Sequence, residues 1–238
     1  MRFAVISDVH GNRLALDAVL DDIARLGVDA VLCLGDHVSG PMDPAGAAAR
    51  LMALPGPIIV GNHDRWVLEA MPQRAIDRFA RSRLNPAQLD WLRTMPAEAV
   101  QAGEVFLCHG IPGDDNAPWL DNFFDGRTTT LPSEAEVAAL ADGRDFPVLL
   151  CGHSHVARFV RLRDGRIIVN PGSVGMQLVH GAPDARYAII ERRGGGWTAE
   201  LRIVRYDWDG AARQALDNGF PQWAEVLTTG WAGPEMLG

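Results

Sequence analysis

The sequence predicts an α/β fold: a sheet-rich core, half parallel and half antiparallel, with helices outside it. Three observations carry that reading. Strand and helix patterns alternate with short loops as far as Val60, the signature of a parallel sheet with helices on its faces. Two later runs, 105–108 and 148–151, are short and apolar, as strands are. Beyond residue 155 the pattern turns to hairpins. No repeat or linker interrupts it, so residues 1–238 are expected to form one domain.

The elements follow in order. Residues 2–7 are a β-branched run, and the helical spacing of Leu14, Ala18, Ile23 and Leu26 stops at Gly27. Residues 30–34 make the next strand, followed by an alanine-rich helix from about 45 to 54. Pro55, Gly56 and Pro57 end that helix, and 58–60 read as a third strand. Residues 66–95 are mostly helical. There Asn85-Pro86 supplies an N-cap and a first-turn proline for a helix carrying Leu89, Trp91 and Leu92. Between the two apolar runs, 111–132 is a long polar loop holding Trp119, Phe123 and Phe124. Loops of that length are usually functional, and this one is expected to cap the site or to pack on the surface. Ser133, with Glu136 three residues on, opens a helix by a capping box. One hairpin pairs 159–162 with 167–169 around Asp164-Gly165, and another pairs 187–191 with 197–204. A last helix from about 210 to 218 precedes an apolar tail that contains tryptophan.

Composition narrows the function. All 22 basic residues are arginine, against 30 acidic ones, for a net charge of −8. A chain without lysine has no P-loop nucleotide site and no Schiff-base chemistry. The acidic balance argues against coating nucleic acid or anionic membrane. No stretch approaches the roughly 20 apolar residues of a membrane span, and the first apolar run is too short for a signal-peptide core. Cys33, Cys108 and Cys151 are an odd and sparse set, which implies no disulfide framework and fits a reducing compartment. The expected location is the cytoplasm.

The histidines carry the chemistry. His10, His63, His109, His153 and His155 follow predicted strands directly or within about three residues, where ligands bind in open α/β sheets. Asp8, Asp36, Asn62 and Asp64 accompany them. Hard oxygen donors mixed with imidazole suit Mn, Fe, Co, Ni or Zn. Seven potential ligands among these residues, two Asp, one Asn and four His, exceed what one ion with an open position needs, and fit two ions if a carboxylate bridges.

The blocks Asp8-Val9-His10, Gly35-Asp36, Gly61-Asn62-His63-Asp64, His109-Gly110 and Gly152-His153-Ser154-His155 resemble, in order, those of the calcineurin-like metallophosphoesterases. The stretches 35–44 and 170–174 look like the small bacterial and archaeal cytoplasmic branch. The resemblance implies an αββα sandwich, two mixed sheets face to face with helices outside. It implies that Asp8, His10, Asp36 and His155 hold one divalent transition-metal ion. Asp36 would bridge to a second, completed by Asn62, His109 and His153. His63 would protonate the leaving oxygen or stabilise the transition state, with Asp64 orienting it. The implied reaction is hydrolysis of a phosphomonoester or phosphodiester by a metal-bound hydroxide, with a small phosphorylated molecule as substrate.

Rival functions fit the motifs less well. Protein phosphatases of the superfamily carry Asp-Arg-Gly after Gly-Asp, whereas Val38 is followed by Ser39-Gly40-Pro41. A nuclease would want a basic face. A non-catalytic interaction scaffold would have lost site residues, yet all seven ligand positions and His63 are filled. His37 and His180 fall outside the motifs and read as packed or surface residues. The cysteines read as buried strand residues, and Ser154 as no nucleophile. The arginines of 65–83 and 158–166 read as solvated faces, with Arg65 and Arg158 nearest the motifs and so the candidate substrate contacts.

Overall fold

Residues 3–6 are buried at every position because this strand has apolar material on both sides. Successive side chains of a strand point to opposite faces. Phe3 and Val5 therefore join a core with Leu32, Leu107, Leu150, Val169 and Ile190, while Ala4 and Ile6 pack with Leu16, Val19, Leu51, Ala211 and Trp223. The computed structural model describes residues 1–121 and 130–233.

In chain order the elements are β1 (Arg2–Ile6), α1 (Arg13–Ala24), β2 (Ala30–Cys33), α2 (Pro44–Leu51), α3 (Asn62–Leu68), α4 (Ala75–Arg83), α5 (Pro86–Arg93), β3 (Ala99–Gln101) and β4 (Val105–Leu107). There follow α6 (Glu134–Leu140), β5 (Val148–Leu150), β6 (Arg158–Arg161), β7 (Ile167–Asn170), β8 (Ala185–Arg193), β9 (Gly196–Val204), α7 (Trp208–Asp217) and α8 (Pro221–Thr229). One sheet has the order β2-β1-β8-β9 and the other β3-β4-β5-β7-β6. Both are mixed: β1 is parallel to β2 and antiparallel to β8, and β5 is parallel to β4 and β7 while β6 returns antiparallel. The first core lies between the sheets. The helices α1, α2, α7 and α8 cover the outer face of one sheet, and α6 with Trp119 covers the other. The fold is the αββα sandwich.

Three elements depart from the expectation. Residues 58–60 make only a single bridge, Cys33 to Ile58. Pro55 and Pro57 accept from Val31 and Cys33 but have no N–H to donate, so Ile59 alone returns a bond to β2. The helical stretch 66–95 is three short helices, α3 to α5. The apolar tail is the helix α8, opened by Pro221 and burying Trp223, Val226 and Leu227. The capping boxes at Asn85/Gln88 and Ser133/Glu136 form as read. Among the described residues no helix is long and apolar enough to cross a membrane.

Candidate metal centre

β1 and β2 run parallel in one sheet, β4 and β5 in the other, and the residues just beyond their ends meet. The chain turns sharply there. Six non-glycine described residues have φ in the left-handed region, and five of them are Asp8 (54°), His10 (47°), Asp36 (56°), His153 (66°) and His155 (59°). L-residues enter that region at a cost, and such strain concentrates where side chains must be aimed. The loops are stapled together by Asp8 N–H to Gly35 C=O (3.0 Å), His10 N–H to Asp36 C=O (2.9 Å) and Gly11 N–H to His37 C=O (3.0 Å). Gly35, at φ 109°, has no room for a side chain: a Cβ would lie 2.7 Å from His109 Nδ1. Gly61 is confined likewise by the Asp36 carboxylate. The motif at 170–174 clamps two of the loops. Asn170 donates to Gly152 C=O (2.7 Å), and Ser173 Oγ donates to Asp8 C=O (2.7 Å).

Three imidazoles are fixed by backbone carbonyls. His10 Nδ1 donates to Ser39 C=O (2.8 Å), His109 Nδ1 to Leu34 C=O (2.7 Å) and His155 Nδ1 to Met176 C=O (2.7 Å). A carbonyl accepts only, so each Nδ1 carries hydrogen and each Nε2 points inward, the arrangement of a metal-ligating histidine. The inward atoms converge. His10 and His155 Nε2 are 3.1 Å apart, and His109 Nε2 is 2.9 Å from Asn62 Oδ1 and 3.3 Å from Asp36 Oδ2. That same Asp36 oxygen is 3.8 Å from His10 Nε2, so it faces both groups. Asp8, His10 and His155 form one compact donor set, and Asp8, Asp36 and His109 another. Neither Asp8 oxygen has a hydrogen-bond partner at normal geometry among the described residues; His155 Nε2 stands 3.4 Å away. His153 lies edge-on to His109 and lines the cleft. Acceptors turned on acceptors in a buried site fit a cation.

Without metal, protons take up part of that charge. Burial disfavours the His109 cation, but Asp36 and Asp8 overcome it and raise the imidazole to about 10. Burial and the neighbouring His155 push His10 down to about 3. Burial, with His109, lowers His153 to about 4. Burial would raise Asp8, yet His155 and His109 bring it to about 2. Asp36 falls well below the ordinary carboxylate value, its burial outweighed by His109 and His63.

His63 and Asp64 part company. The expected pairing of Asp64 with His63 is corrected: Asp64 accepts from the N–H groups of His37 (2.9 Å) and Gly61 (3.1 Å) and faces the His37 ring. Both residues lie in the first turn of α3, where neighbours diverge by about 100° around the axis. Asp64 closes the helix start; His63 Nδ1 instead lies 3.2 Å from Ser39 Oγ and 3.5 Å from Asp77.

The arginine assignments are also corrected. Arg65 is bound in a two-point ion pair to Asp115, and Arg158 donates to Leu120 C=O; neither lines the cleft. Arg74 does, its guanidinium 4.2 Å above the Trp66 ring. The cleft, about 290 Å³, is also walled by His63, Asn116, Pro118 and Leu178. The long loop thus reaches the site through Asn116, which accepts from Asn62 Nδ2, and not through Trp119, which is buried and donates to Val137 C=O. Phe123 and Phe124 lie outside the described residues. His37 is buried against Ile59 C=O, and His180 stacks on Trp231 away from the cluster. The three cysteines are buried free thiols raised by burial, and Ser154 is engaged by Asp121 and Asn170.

An αββα sandwich that gathers imidazoles and carboxylates at its strand ends is built as a metal-site protein. Residues 1–195 match the calcineurin-like phosphoesterase superfamily domain, and the chain belongs to that superfamily. A metallophosphoesterase from Sphaerobacter thermophilus is similar in structure, with a TM-score of 0.81 at 25% identity, covering 97% of this chain and 99% of that one. An uncharacterized protein of Methanocaldococcus jannaschii is 26% identical over 239 residues, which covers 92% of this chain and 94% of that protein.

Proposed function

We propose that this protein hydrolyses phosphomonoesters or phosphodiesters of small molecules with two divalent transition-metal ions (Mn, Fe, Ni, Co or Zn). The observation that carries the reading is the convergence of three carbonyl-locked Nε2 atoms on Asp8, Asp36 and Asn62. Asp8, His10, Asp36 and His155 would hold one ion; Asp36, Asn62, His109 and His153 the other. When bound, such ions supply charge for the phosphoryl oxygens and acidify a water. The chain supplies the rest. His63 stands at the cleft wall to donate to the departing oxygen, and Arg74 on Trp66 offers a guanidinium to substrate phosphate. Membership of the superfamily and the Sphaerobacter metallophosphoesterase support the reaction class. Three buried unpaired thiols support a cytoplasmic location.

The test is metal-free protein reloaded with Mn, Ni, Co, Zn or Mg and assayed on monoesters, diesters, nucleotides and phosphopeptides. Turnover of a small ester with a bound metal is expected. Two ions bound without turnover of any ester would mean a non-catalytic scaffold, and no ion bound would overturn the metal reading itself.

A further inference from the structure

Asp77 is a carboxylate the reaction so far leaves without a role. It sits in the first turn of α4, is fully buried, and its Oδ2 has no hydrogen-bond partner among the described residues. A buried carboxylate is costly unless its surroundings answer it. Its Oδ1 accepts the Ser39 hydroxyl, and His63 Nδ1 is 3.5 Å from the same oxygen. Ser39 is itself fully buried, three residues beyond Asp36.

We propose that Asp77, acting through Ser39, is the positioning residue that sets the orientation of His63. The inference rests on the phosphoesterase reading for its purpose and on geometry for its substance. A carboxylate only accepts, so the Ser39 O–H hydrogen points at Asp77. That leaves an oxygen lone pair toward His63, 3.2 Å away, which accepts from Nδ1–H. The chain of donors thus runs His63 to Ser39 to Asp77. Fixed by Nδ1, the ring keeps Nε2 for the cleft, where the departing ester oxygen would lie. Ser39 serves both halves of the site, because its carbonyl holds His10 while its hydroxyl holds His63. Ser39→Ala removes the second function and keeps the first.

The test uses the full chain with Ser39→Ala, Asp77→Asn and His63→Ala, each alone, and both of the first two combined with His63→Ala. With Mn bound, the two relay variants should keep metal content and KM. They should lose about 10- to 100-fold in kcat on alkyl esters, the scale of losing a residue that orients a working histidine, and much less on p-nitrophenyl esters. In the His63→Ala background neither should cost anything more, since groups acting as one unit are not additive. Nitrogen-resolved NMR of the metal-free protein gives a second readout: the His63 Nδ1–H signal should exchange faster in both variants while that of His10 persists. Should Asp77→Asn fail to fold, Ser39→Ala, which removes one oxygen, carries the test. Additive loss in the His63→Ala background, lost metal, or an unmoved His63 signal would overturn the relay. If the wild type turns over no ester, the NMR result still decides the relay, and it is the phosphoesterase reading that fails.

Discussion

Two polar clusters, one half-buried around Asp22 and one fully buried around Asp8 and Asp36, differ in how completely they are satisfied. Around Asp22 every acceptor has its donor: Tyr187 O–H at 2.5 Å, Arg25 at 2.8 Å and Arg202 at 3.2 Å. Around Asp8 and Asp36, imidazole nitrogens and carboxylate oxygens face one another, and Asp8 has no hydrogen-bond partner at normal geometry among the described residues. The first cluster ties α1 to β8 and β9. The second is held in shape by strained backbone and is complete only with added positive charge. A polar cluster that closes on itself serves the fold, and one left open serves a ligand.

The comparison breaks first at Asp36. Asp36→Asn should lower kcat about 10²- to 10³-fold, the scale of losing one charge-stabilising group. It should also abolish the stabilisation by metal, about 2.7 kcal/mol when the ion is at 100 times its Kd. Thermal melts with and without Mn, run beside the rate assay, check both. A variant that still gained stability from Mn would show that Asp36 does not bridge.

A smaller effect is a proton count. His109 is raised to about 10, above its ordinary value. Its protonated form therefore favours the metal-free fold, and that contribution fades as pH climbs toward about 10. An incoming cation must displace the proton, so metal affinity should tighten about tenfold per pH unit between 7 and 9. Calorimetry in buffers of different ionisation enthalpy should find at least one proton released near neutral pH, since His155, its burial outweighed by Asp8, is raised as well; none would place the charge elsewhere in the cluster.

The smallest effect belongs to the closed cluster. Burial would raise Asp22, but Tyr187, Arg25 and Arg202 hold it below the ordinary carboxylate value. A depressed carboxylate stabilises the fold above its ordinary pKa and loses that contribution as pH falls through the depressed one. Asp22→Asn should cost about 1 kcal/mol at neutral pH, the net worth of a hydrogen bond. The two proteins should converge in acid, with metal content and rate untouched. Urea unfolding across pH reads this directly, and any change in rate would join the two clusters.

Sequence alone made the strand-end histidines legible, because short motifs carry ligand and glycine together. It also foretold the hairpins and capping boxes. Asp64 stands next to His63 in sequence but not in space, because helix geometry splays neighbours apart. Asp77 and Arg74 were hidden for a related reason. They lie in an arginine-rich stretch that reads as one solvated face, and only the packing of α4 turns Asp77 inward and leaves Arg74 over Trp66. The strand at 58–60 failed because two prolines withhold ladder donors.

The three fixed imidazoles lean on carbonyls of the main chain, at Ser39, Leu34 and Met176. No codon change deletes a carbonyl, so these props persist through most substitutions at the positions that provide them. His63 leans on side chains, Ser39 and Asp77, each one nucleotide change away from loss. The two sets of props are therefore inherited unequally: those that aim the three locked imidazoles survive substitution at Ser39, Leu34 and Met176, whereas those that aim His63 are lost with the side chains that form them.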